Sequence, residues 1–257
     1  RDLSYALLAS IAGAFCAWAI LGNHPAFSVP AIGAVSWRSY LLAPLVGLLA
    51  AATGILFQKS VLSWRRHVLL RSPLPVWLRP VVGGVSVWMA GVTVFMMSGR
   101  LGVFGLGYED LTEALAGNVA WRTAFLLLAA KLFATIAAYA WGGCGGIFAP
   151  TLFFGAMCGL VVSGLAQACG LRMDPGTPLV LALVGMCGCF GATVRAPLTA
   201  LLMVFEMTHH YEIVPALMAG TVASQAVARM AAGRLNFYDA ILAQDRAVNA
   251  RRAQPRA

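Results

Sequence analysis

Long apolar runs separated by short polar segments make up most of the chain. A helix needs about 20 apolar residues to cross about 30 Å of hydrocarbon. Six runs meet or approach that length: residues 3–22, 39–58, 80–98, 122–141, 147–169 and 213–232. The pattern predicts membrane-spanning helices, and therefore an all-α, polytopic membrane protein.

The pattern changes between residues 178 and 208. Two apolar pieces, 178–190 and 196–208, have only 13 residues each, and Gly191-Ala-Thr-Val-Arg195 separates them. Short, interrupted helices are typical of transporters and channels, where broken backbone lines a cavity. Counting the pieces as separate crossings gives eight membrane-embedded helices.

Lys and Arg in short loops indicate which side of the membrane a loop occupies, because cytoplasmic loops are enriched in them. The 59–79 connection carries Lys59, four arginines and no acid, and four more arginines follow residue 242. Both segments are predicted to be cytoplasmic. The 23–37 segment has no charged residue and 99–122 has three acids and two arginines, so we expect these two loops outside. Eight crossings return the basic C-terminal segment to the cytoplasm.

The composition supports the same class of protein. Hydrophobic residues make up 60% of the 257 residues and charged residues only 11%, whereas soluble domains carry about 25%. This excludes an ordinary soluble enzyme, a disordered chain and a coiled coil. The net charge of +9 would suit a nucleic-acid binder, but the apolar majority would not, so the charge indicates topology and no nucleic-acid partner is expected.

Metal-ligand patterns are weak. The six cysteines are scattered without a Cys-x-x-Cys pair, so neither a zinc site nor a disulfide framework is expected. His209 and His210 adjoin Tyr211 and Glu212 in a predicted outer loop, where a metal would need further ligands from elsewhere. An intramembrane metal-dependent enzyme is the alternative from another class, but His-Glu-x-x-His and Gly-x-Ser-x-Gly are absent. We expect no cofactor and no enzyme activity.

The segment Trp141-Gly-Gly-Cys-Gly-Gly-Ile-Phe-Ala-Pro150 carries the most distinctive chemistry. Its glycines oppose helix formation, which predicts extended or tightly turned backbone, and Pro150 suits the first turn of a following helix. The amides of Gly146, Ile147 and Phe148 would then lie unpaired at a helix N-terminus inside the membrane. Such amides bind an anion without a fixed cation, so a permeating ion can leave again. A Gly-rich turn without a ligand is the plainer alternative.

Three charged residues lie within or between apolar runs. Lys131 and Glu206 are by default functional or a buried pair, and we favour a structural role for both because an anion pathway has no evident use for a buried acid. Arg195, before Pro197, either attracts anions at a pore mouth or caps carbonyls of the preceding helix.

Small residues recur at four-residue spacing, as in Gly155-x-x-x-Gly159 and in a small-residue stripe of the last long run. Such spacing lets helix backbones approach closely. The stripe indicates either general tight packing or a dimer interface, and it comprises Ala216, Gly220, Ser224 and Ala228.

Three motif blocks follow the order of one known family. Gly-Gly-Ile-Phe-Ala-Pro at 145–150 resembles the Gly-x-Phe-x-Pro motif of the CLC chloride channels and chloride/proton antiporters. Residues 191–208 are similar to the family's segment before its last transmembrane helix. Phe237-Tyr-Asp-Ala-Ile-Leu242 resembles its cytosolic-side helix with the pore tyrosine, and Leu106-Gly-Tyr108 and Lys131 follow the family's order.

The resemblance implies two inverted-topology halves, of which this chain is the later half preceded by one helix. It implies transmembrane chloride transport in an inner or plasma membrane, by a channel or by an antiporter that also moves protons. The Ile147 and Phe148 amides would contact chloride and the Tyr238 hydroxyl would donate to it. A phenol is a suitable neutral donor, although an interfacial belt tyrosine is the alternative.

The resemblance also implies a homodimer. Its interface would use the helices at 3–22, 196–208 and 213–232, with which the small-residue stripe agrees. We expect residues 1–242 to form the transmembrane domain and residues 243–257 a short basic cytoplasmic tail, which in this family is typical of prokaryotic members.

Two motifs of the family are absent from this sequence. Gly-Ser-Gly-Ile-Pro and Gly-Arg/Lys-Glu-Gly-Pro, which supply a serine and the gating glutamate, are expected upstream of Arg1, so the chain is predicted to be an interior fragment. Whether the protein is a channel or an antiporter therefore stays open, and a transporter of fluoride or nitrate remains an alternative. We expect residues 1–257 alone not to conduct, and chloride flux from the purified chain in liposomes would contradict that.

Overall fold

The computed structural model describes residues 2–22, 35–208, 210–231 and 236–253. Within these ranges the regular structure is entirely helical, as the apolar runs predict. A short 3-10 turn at Tyr211–Ile213 precedes the ninth helix. The α-helices are α1 Asp2–Leu21, α2 Trp37–Arg71, α3 Arg79–Ser98, α4 Tyr108–Leu115, α5 Trp121–Ala140, α6 Phe148–Ala168, α7 Thr177–Val194, α8 Pro197–Thr208, α9 Val214–Ala231 and α10 Phe237–Ala253.

The predicted membrane segments are all present in the described part of the chain. Six helices are long and apolar enough to cross a membrane: α2, α3, α5, α6, α7 and the segment that includes α9. Two shorter apolar helices, within α1 and at α8, accompany them. The expected total of eight apolar helices is confirmed.

The helix α2 is much longer than its apolar run. It has 35 residues, about 52 Å at 1.5 Å per residue, and includes most of the 59–79 segment that was expected to be a loop. That segment has no Gly or Pro before Pro73, so the helix continues after its apolar part ends. Ser72 is extended, because a residue before proline disfavours helical backbone.

The break between α7 and α8 is shorter than predicted. The helix α7 has 18 residues and continues through Gly191 to Val194, so a first piece that ends at residue 190 is wrong. Gly191 is tolerated inside the helix because its face packs near Pro197 and Ala200. Only Arg195 and Ala196 separate the two helices, and Arg195 has a left-handed φ of 63°.

A helix occupies part of the predicted outer loop at 99–122. The eight-residue α4 is amphipathic: Leu111 and Leu115 are buried, whereas Glu109 and Glu113 are exposed on its polar face. With eight residues and three acids, α4 is too short and too charged to cross a membrane.

The antiparallel pair α6 and α7 forms the centre of the molecule. Almost every residue of both helices is buried. A Cβ on Gly155 would overlap the Gly185 backbone, and one on Gly159 would overlap the Leu181 backbone. The glycine spacing in α6 therefore serves helix packing within the chain.

The small-residue stripe of α9 also packs inside the chain, so tight packing, and not a dimer surface, is the alternative that the structure has. Gly220 meets Gly47 of α2 backbone to backbone, and Ser224 lies near Gly188 of α7. Ala228 packs with Ala51 of α2 and Ala192 of α7. The opposite face of α9 exposes Met218, Val222 and Met230, and the described side chains of α1 from Ser4 to Ile20 are all exposed.

The last helix, α10, lies against the polar end of α2. Gln244 donates to the Leu62 carbonyl at 2.9 Å, and Arg65 forms an ion pair with Asp245. The domain boundary expected at residue 242 falls inside this continuous helix, so the first part of the predicted tail packs on the transmembrane helices.

Candidate anion-binding site

A glycine loop connects α5 to α6 and shapes the start of α6. Gly142 has a φ of 92°, a left-handed conformation that is strained for other residues. The amide of Gly143 donates to Ala138 at 2.8 Å, which reverses the chain at the end of α5. Residues 143–146 then follow an irregular course, as the glycine run predicts.

The first amides of α6 lie unpaired. The helix begins at Phe148 and its first backbone bond runs from Thr151 to Ile147 at 3.0 Å. Among the described residues, no backbone carbonyl accepts from the amides of Gly146, Ile147 or Phe148. A Cβ added to Gly146 would meet open space. Three successive donors therefore point to the positive end of a helix dipole, an arrangement that binds anions.

Tyr139 orients this loop, although the sequence did not single it out. Its hydroxyl donates to the Gly145 carbonyl. Because carbonyl and amide of a trans peptide point in opposite directions, this bond directs the Gly146 amide away from Tyr139. The sequence feature that could have indicated this role is a tyrosine within an apolar run, one turn before the glycine loop, since a tyrosine hydroxyl that becomes buried requires a partner.

An aromatic cluster joins the glycine loop to the start of α10. Phe237 is fully buried, stacks on Phe57 with ring centroids 5.3 Å apart, and meets Tyr139 edge-on at 5.4 Å. The next residue, Tyr238, is 48% exposed, and among the described residues its hydroxyl has no hydrogen-bond partner. The cluster thus places the start of α10 beside α5, whose Tyr139 holds Gly145. The Tyr238 hydroxyl is left available to a ligand.

Arg65 anchors the same region, and no local sequence feature indicates this role either. Its guanidinium donates to both carboxylate oxygens of Asp245 at 2.9 and 3.1 Å, and to the Tyr139 carbonyl at 3.4 Å. Both bonds to Asp245 come from one nitrogen, Nη2, and hydrogen bonds between charged groups are stronger than those between neutral ones. One residue of α2 therefore holds α10 against the end of α5, close to the glycine loop.

Phe148 is held by packing as well as by the helix. Its ring lies edge-on to Phe190 of α7 with centroids 5.3 Å apart. Since Phe190 is nearly buried, the contact fixes the first residue of α6 relative to the central pair of helices.

Lys131 is placed away from the glycine loop, about two turns before Tyr139 on α5. Its buried ammonium donates to the carbonyls of Gly102 at 2.7 Å and Gly105 at 2.9 Å, and lies 5.3 Å from the Phe153 ring. These contacts tie the segment before α4 to the membrane helices, which supports the structural role.

The segment around α4 is held by charged groups. Arg100 donates to Asp110 at 2.8 Å and to Glu113 at 3.1 Å. The bond to Asp110 raises the pKa of Arg100 above its usual range, against a smaller opposing effect of burial. For the Tyr108 phenol, burial disfavours the charged form and so raises the pKa, and both groups therefore keep their protons at neutral pH.

Arg195 caps a different helix from the one expected. Its guanidinium donates to the Ala228 carbonyl of α9 at 2.9 Å, not to a carbonyl of the preceding α7. The left-handed backbone at Arg195 directs the side chain toward α9, whose last turn has free carbonyls. The bond ties the α7–α8 break to the end of α9.

Lys131 and Glu206, for which a buried pair was the alternative to a structural role, lie in different surroundings. Lys131 contacts loop carbonyls, whereas Glu206 lies on an exposed face of α8. His209 lies outside the described residues. Among those described, no three His, Cys, Asp or Glu side chains are grouped to hold a metal ion, and the six cysteines are free.

Comparison with known proteins gives the same family as the motifs. A sequence model described as voltage gated chloride channel matches residues 1–229. A ClcB-like chloride channel protein of Ralstonia nicotianae is 33% identical over 225 residues, which cover 88% of this chain and 50% of the relative. The H(+)/Cl(-) exchange transporter ClcA of Citrobacter koseri is 27% identical over 231 residues, which cover 87% of this chain and 46% of the relative.

A solved structure has the same fold. The crystal structure of a slow cyanobacterial Cl−/H+ antiporter matches with a TM-score of 0.61 at 22% identity, over 88% of this chain and 51% of that one. The predicted CLC-like fold is confirmed. The chain spans about half the length of these relatives, and it is a multi-pass membrane protein.

Proposed function

Because this chain belongs to the voltage-gated chloride channel (CLC) family, we propose that it takes part in transmembrane chloride transport. The observation that carries the proposal is the row of unpaired amides at Gly146, Ile147 and Phe148, at the start of a buried helix. Neutral donors suit a permeating anion, since a full positive charge in a low dielectric would hold the anion too tightly.

In the proposed site, chloride lies against the amides of Ile147 and Phe148 and accepts from the Tyr238 hydroxyl. The Gly146 amide, aimed by Tyr139, is the third backbone donor. The exposed Tyr238 side chain and its placement by the Phe237 cluster support this arrangement. Lys131 and Arg195 have structural roles in this proposal, because they donate to the carbonyls of Gly102, Gly105 and Ala228, which lie outside the glycine loop. Glu206, on an exposed face of α8, is given a structural role as well.

The names of the relatives include both a channel protein and an H(+)/Cl(-) exchange transporter. We therefore propose chloride as the transported ion and make proton coupling an outcome of the measurement. Simultaneous recording of chloride and proton efflux distinguishes a channel, which moves no protons against their gradient, from an antiporter. Fluoride and nitrate in the same assay measure selectivity.

We further propose that the basic end of α2 and all of α10 lie in the cytoplasm. The Lys and Arg excess of these segments supports that orientation. The proposal also includes a homodimer, through α1, α8 and the outward face of α9, whose exposed apolar side chains include Leu198, Leu202, Met218 and Val222.

Gly146 offers a sharp test of the amide site in the full-length gene product. Gly146→Pro removes the N–H, whereas Gly146→Ala keeps it and also adds a Cβ into open space. Hydrogen bonds to charged groups contribute about 1.5–3 kcal/mol, so we expect Gly146→Pro to lower chloride affinity about tenfold or more relative to Gly146→Ala. Chloride efflux from proteoliposomes, recorded with a chloride electrode over a concentration series, measures this.

Tyr238→Phe, which removes only the hydroxyl, should weaken chloride binding in the same assay without changing expression. Equal chloride affinity in the two Gly146 variants would show that the amide is not a ligand. Absence of chloride flux from the unmodified protein would reject the transport proposal itself.

A further inference from the structure

The polar part of α2 begins at the depth where a membrane helix meets lipid headgroups. From Trp37 to Lys59 the helix rises through 22 residues, about 33 Å, compared with about 30 Å of hydrocarbon. Beyond Phe57 the helix carries Lys59, three arginines and His67 and no acid. Trp64 lies in the same stretch, and tryptophan is enriched at this interface.

A shallow, wide-open groove of about 570 Å³ lies along one face of this stretch, and all of its lining residues belong to α2. Lys59, Ser63 and His67 recur every four residues and so form one row on the helix surface. Ser60 and Trp64 complete the lining. None of these lining residues is acidic, so the groove has the charge and the donors that a phosphate requires.

The donors of the groove are not used within the protein. Among the described residues, no hydrogen bond or ion pair involves the side chains of Lys59, Ser60, Ser63 or His67. Arg65, beside them on the helix, instead donates through its two terminal nitrogens to Asp245 and to the Tyr139 carbonyl. The Trp64 ring packs 6.0 Å from the Phe133 ring, which fixes one wall of the groove.

Exposed apolar side chains continue the groove toward the hydrocarbon. Leu56 lies one turn before Lys59 and is 55% exposed, and Phe133 beside Trp64 is 48% exposed. A small ion would not use them, whereas a lipid with its phosphate at Lys59 would lay its acyl chains over them. A soluble protein partner is a poorer match, because Leu56 and Phe133 lie on the apolar side of Lys59, within helices long and apolar enough to cross a membrane.

We propose that this groove binds the phosphate of an anionic phospholipid headgroup, with Lys59 and the Ser63 hydroxyl as principal donors and His67 at the outer end. The lipid would be held in the leaflet at the basic end of the helices. Juxtamembrane basic clusters attract anionic lipids in general; here the serine hydroxyls and the Trp64 wall make a defined site. The proposal does not depend on chloride transport.

Arg229 provides a control matched in charge near the same end of the helices. Gly47 and Ala51 of α2 lie near Gly220 and Ala228 of α9, so the two helices run in the same direction and Arg229, like Lys59, lies toward their C-terminal ends. Arg229 is exposed in the last turn of α9 and does not line the groove. Loss of one positive charge at either site weakens general surface attraction equally, and only Lys59 belongs to the proposed site.

The test uses the full-length gene product in nanodiscs with equal phosphatidylglycerol and phosphatidylcholine of the same chain length, and native mass spectrometry of the retained lipids. We expect the unmodified protein to retain phosphatidylglycerol preferentially. Lys59→Gln should lower its occupancy about tenfold and Ser63→Ala, which leaves the charge unchanged, about threefold, since both remove hydrogen bonds to a charged group. Arg229→Gln should change it less than about twofold.

Three results would overturn the proposal. Equal losses in Lys59→Gln and Arg229→Gln would indicate general charge attraction without a site. Displacement of phosphatidylglycerol by millimolar inorganic phosphate would identify a site for free phosphate. Equal retention of the two lipids by the unmodified protein would exclude recognition of an anionic headgroup. Because Lys59 and Ser63 are exposed, the variants should elute as the unmodified protein does, which checks that they fold.

Discussion

Tyr139 affects the candidate anion site through the backbone without contributing a ligand. Its ring packs on Phe57 and Phe237, and its hydroxyl fixes the peptide between Gly145 and Gly146. At the scale of single residues, the candidate site thus consists of unpaired amides and of neighbours that orient them. Glycine makes the loop possible, and a phenol limits its freedom.

Tyr139→Phe separates these two roles, because it keeps the ring and removes the bond to Gly145. We expect chloride affinity to fall about threefold to tenfold and the unfolding free energy to fall by about 1 kcal/mol, the usual net contribution of one hydrogen bond. Titration calorimetry with chloride and thermal unfolding of the full-length gene product measure the two effects. Tyr40→Phe is the control, since the Tyr40 hydroxyl makes only a 3.5 Å contact to the Glu212 carbonyl. An unchanged affinity in Tyr139→Phe would exclude the orienting role.

Helix pairs in this protein meet where glycines remove the side chains between two backbones. The contact of Gly47 in α2 with Gly220 in α9 and that of Gly155 in α6 with Gly185 in α7 are of this kind. In lipid the hydrophobic effect does not drive helices together, so close van der Waals packing supplies the attraction between them. Contacts at the scale of elements therefore depend on the absence of single Cβ atoms.

Gly47→Ala tests this packing, because the added Cβ would overlap the backbone carbonyl of Gly220 and backbone cannot rotate away. We expect destabilisation by about 1–3 kcal/mol, as for other overpacked cores, seen as a lower Tm in detergent. Gly84→Ala in α3 is matched in chemistry, but its Cβ would meet open space. Its Tm should be unchanged or higher, since alanine favours helix. Similar losses in both variants would indicate a helix effect and not a packing contact.

At the scale of the whole molecule, the apolar surface that the chain leaves uncovered is unevenly distributed. The described residues of α1, most of α8 and the outward face of α9 expose large apolar side chains, while α6 and α7 are buried. In the proposed dimer, the outward face of α9 lies against the second subunit and α3 faces lipid.

Val222→Lys and Val85→Lys distinguish the two environments. Both valines are exposed on membrane helices, but a lysine that faces lipid can extend to the interface, whereas one buried in a subunit contact stays unpaired. We expect Val222→Lys to convert the purified protein from dimer to monomer and Val85→Lys to leave it dimeric, by light scattering after size-exclusion chromatography. A dimer that persists in both variants would place the interface elsewhere.

The apolar runs, the glycine loop and Pro150 were sufficient to predict the helices, the unpaired amides and the family, because these features depend on local chemistry. Helix length is dictated by the thickness of the bilayer, and turn geometry by the residues in the turn. The lengths of α2 and α7 were misjudged for a related reason: polar residues and a buried glycine do not end a helix unless a proline or a left-handed residue follows.

The tertiary structure decided which groups meet. Arg65 and Asp245 are 180 residues apart, and nothing local marks them as partners, just as nothing local assigns the Arg195 guanidinium to α9. The small-residue stripe shows the physical reason most clearly. Lipid tails and neighbouring helices are equally apolar, so an apolar or small face does not reveal whether it lies against lipid, its own chain or a second subunit. The sequence by itself determined which segments form long apolar helices and where a helix begins with unpaired amides, and the packing determined which residues hold that glycine loop in place.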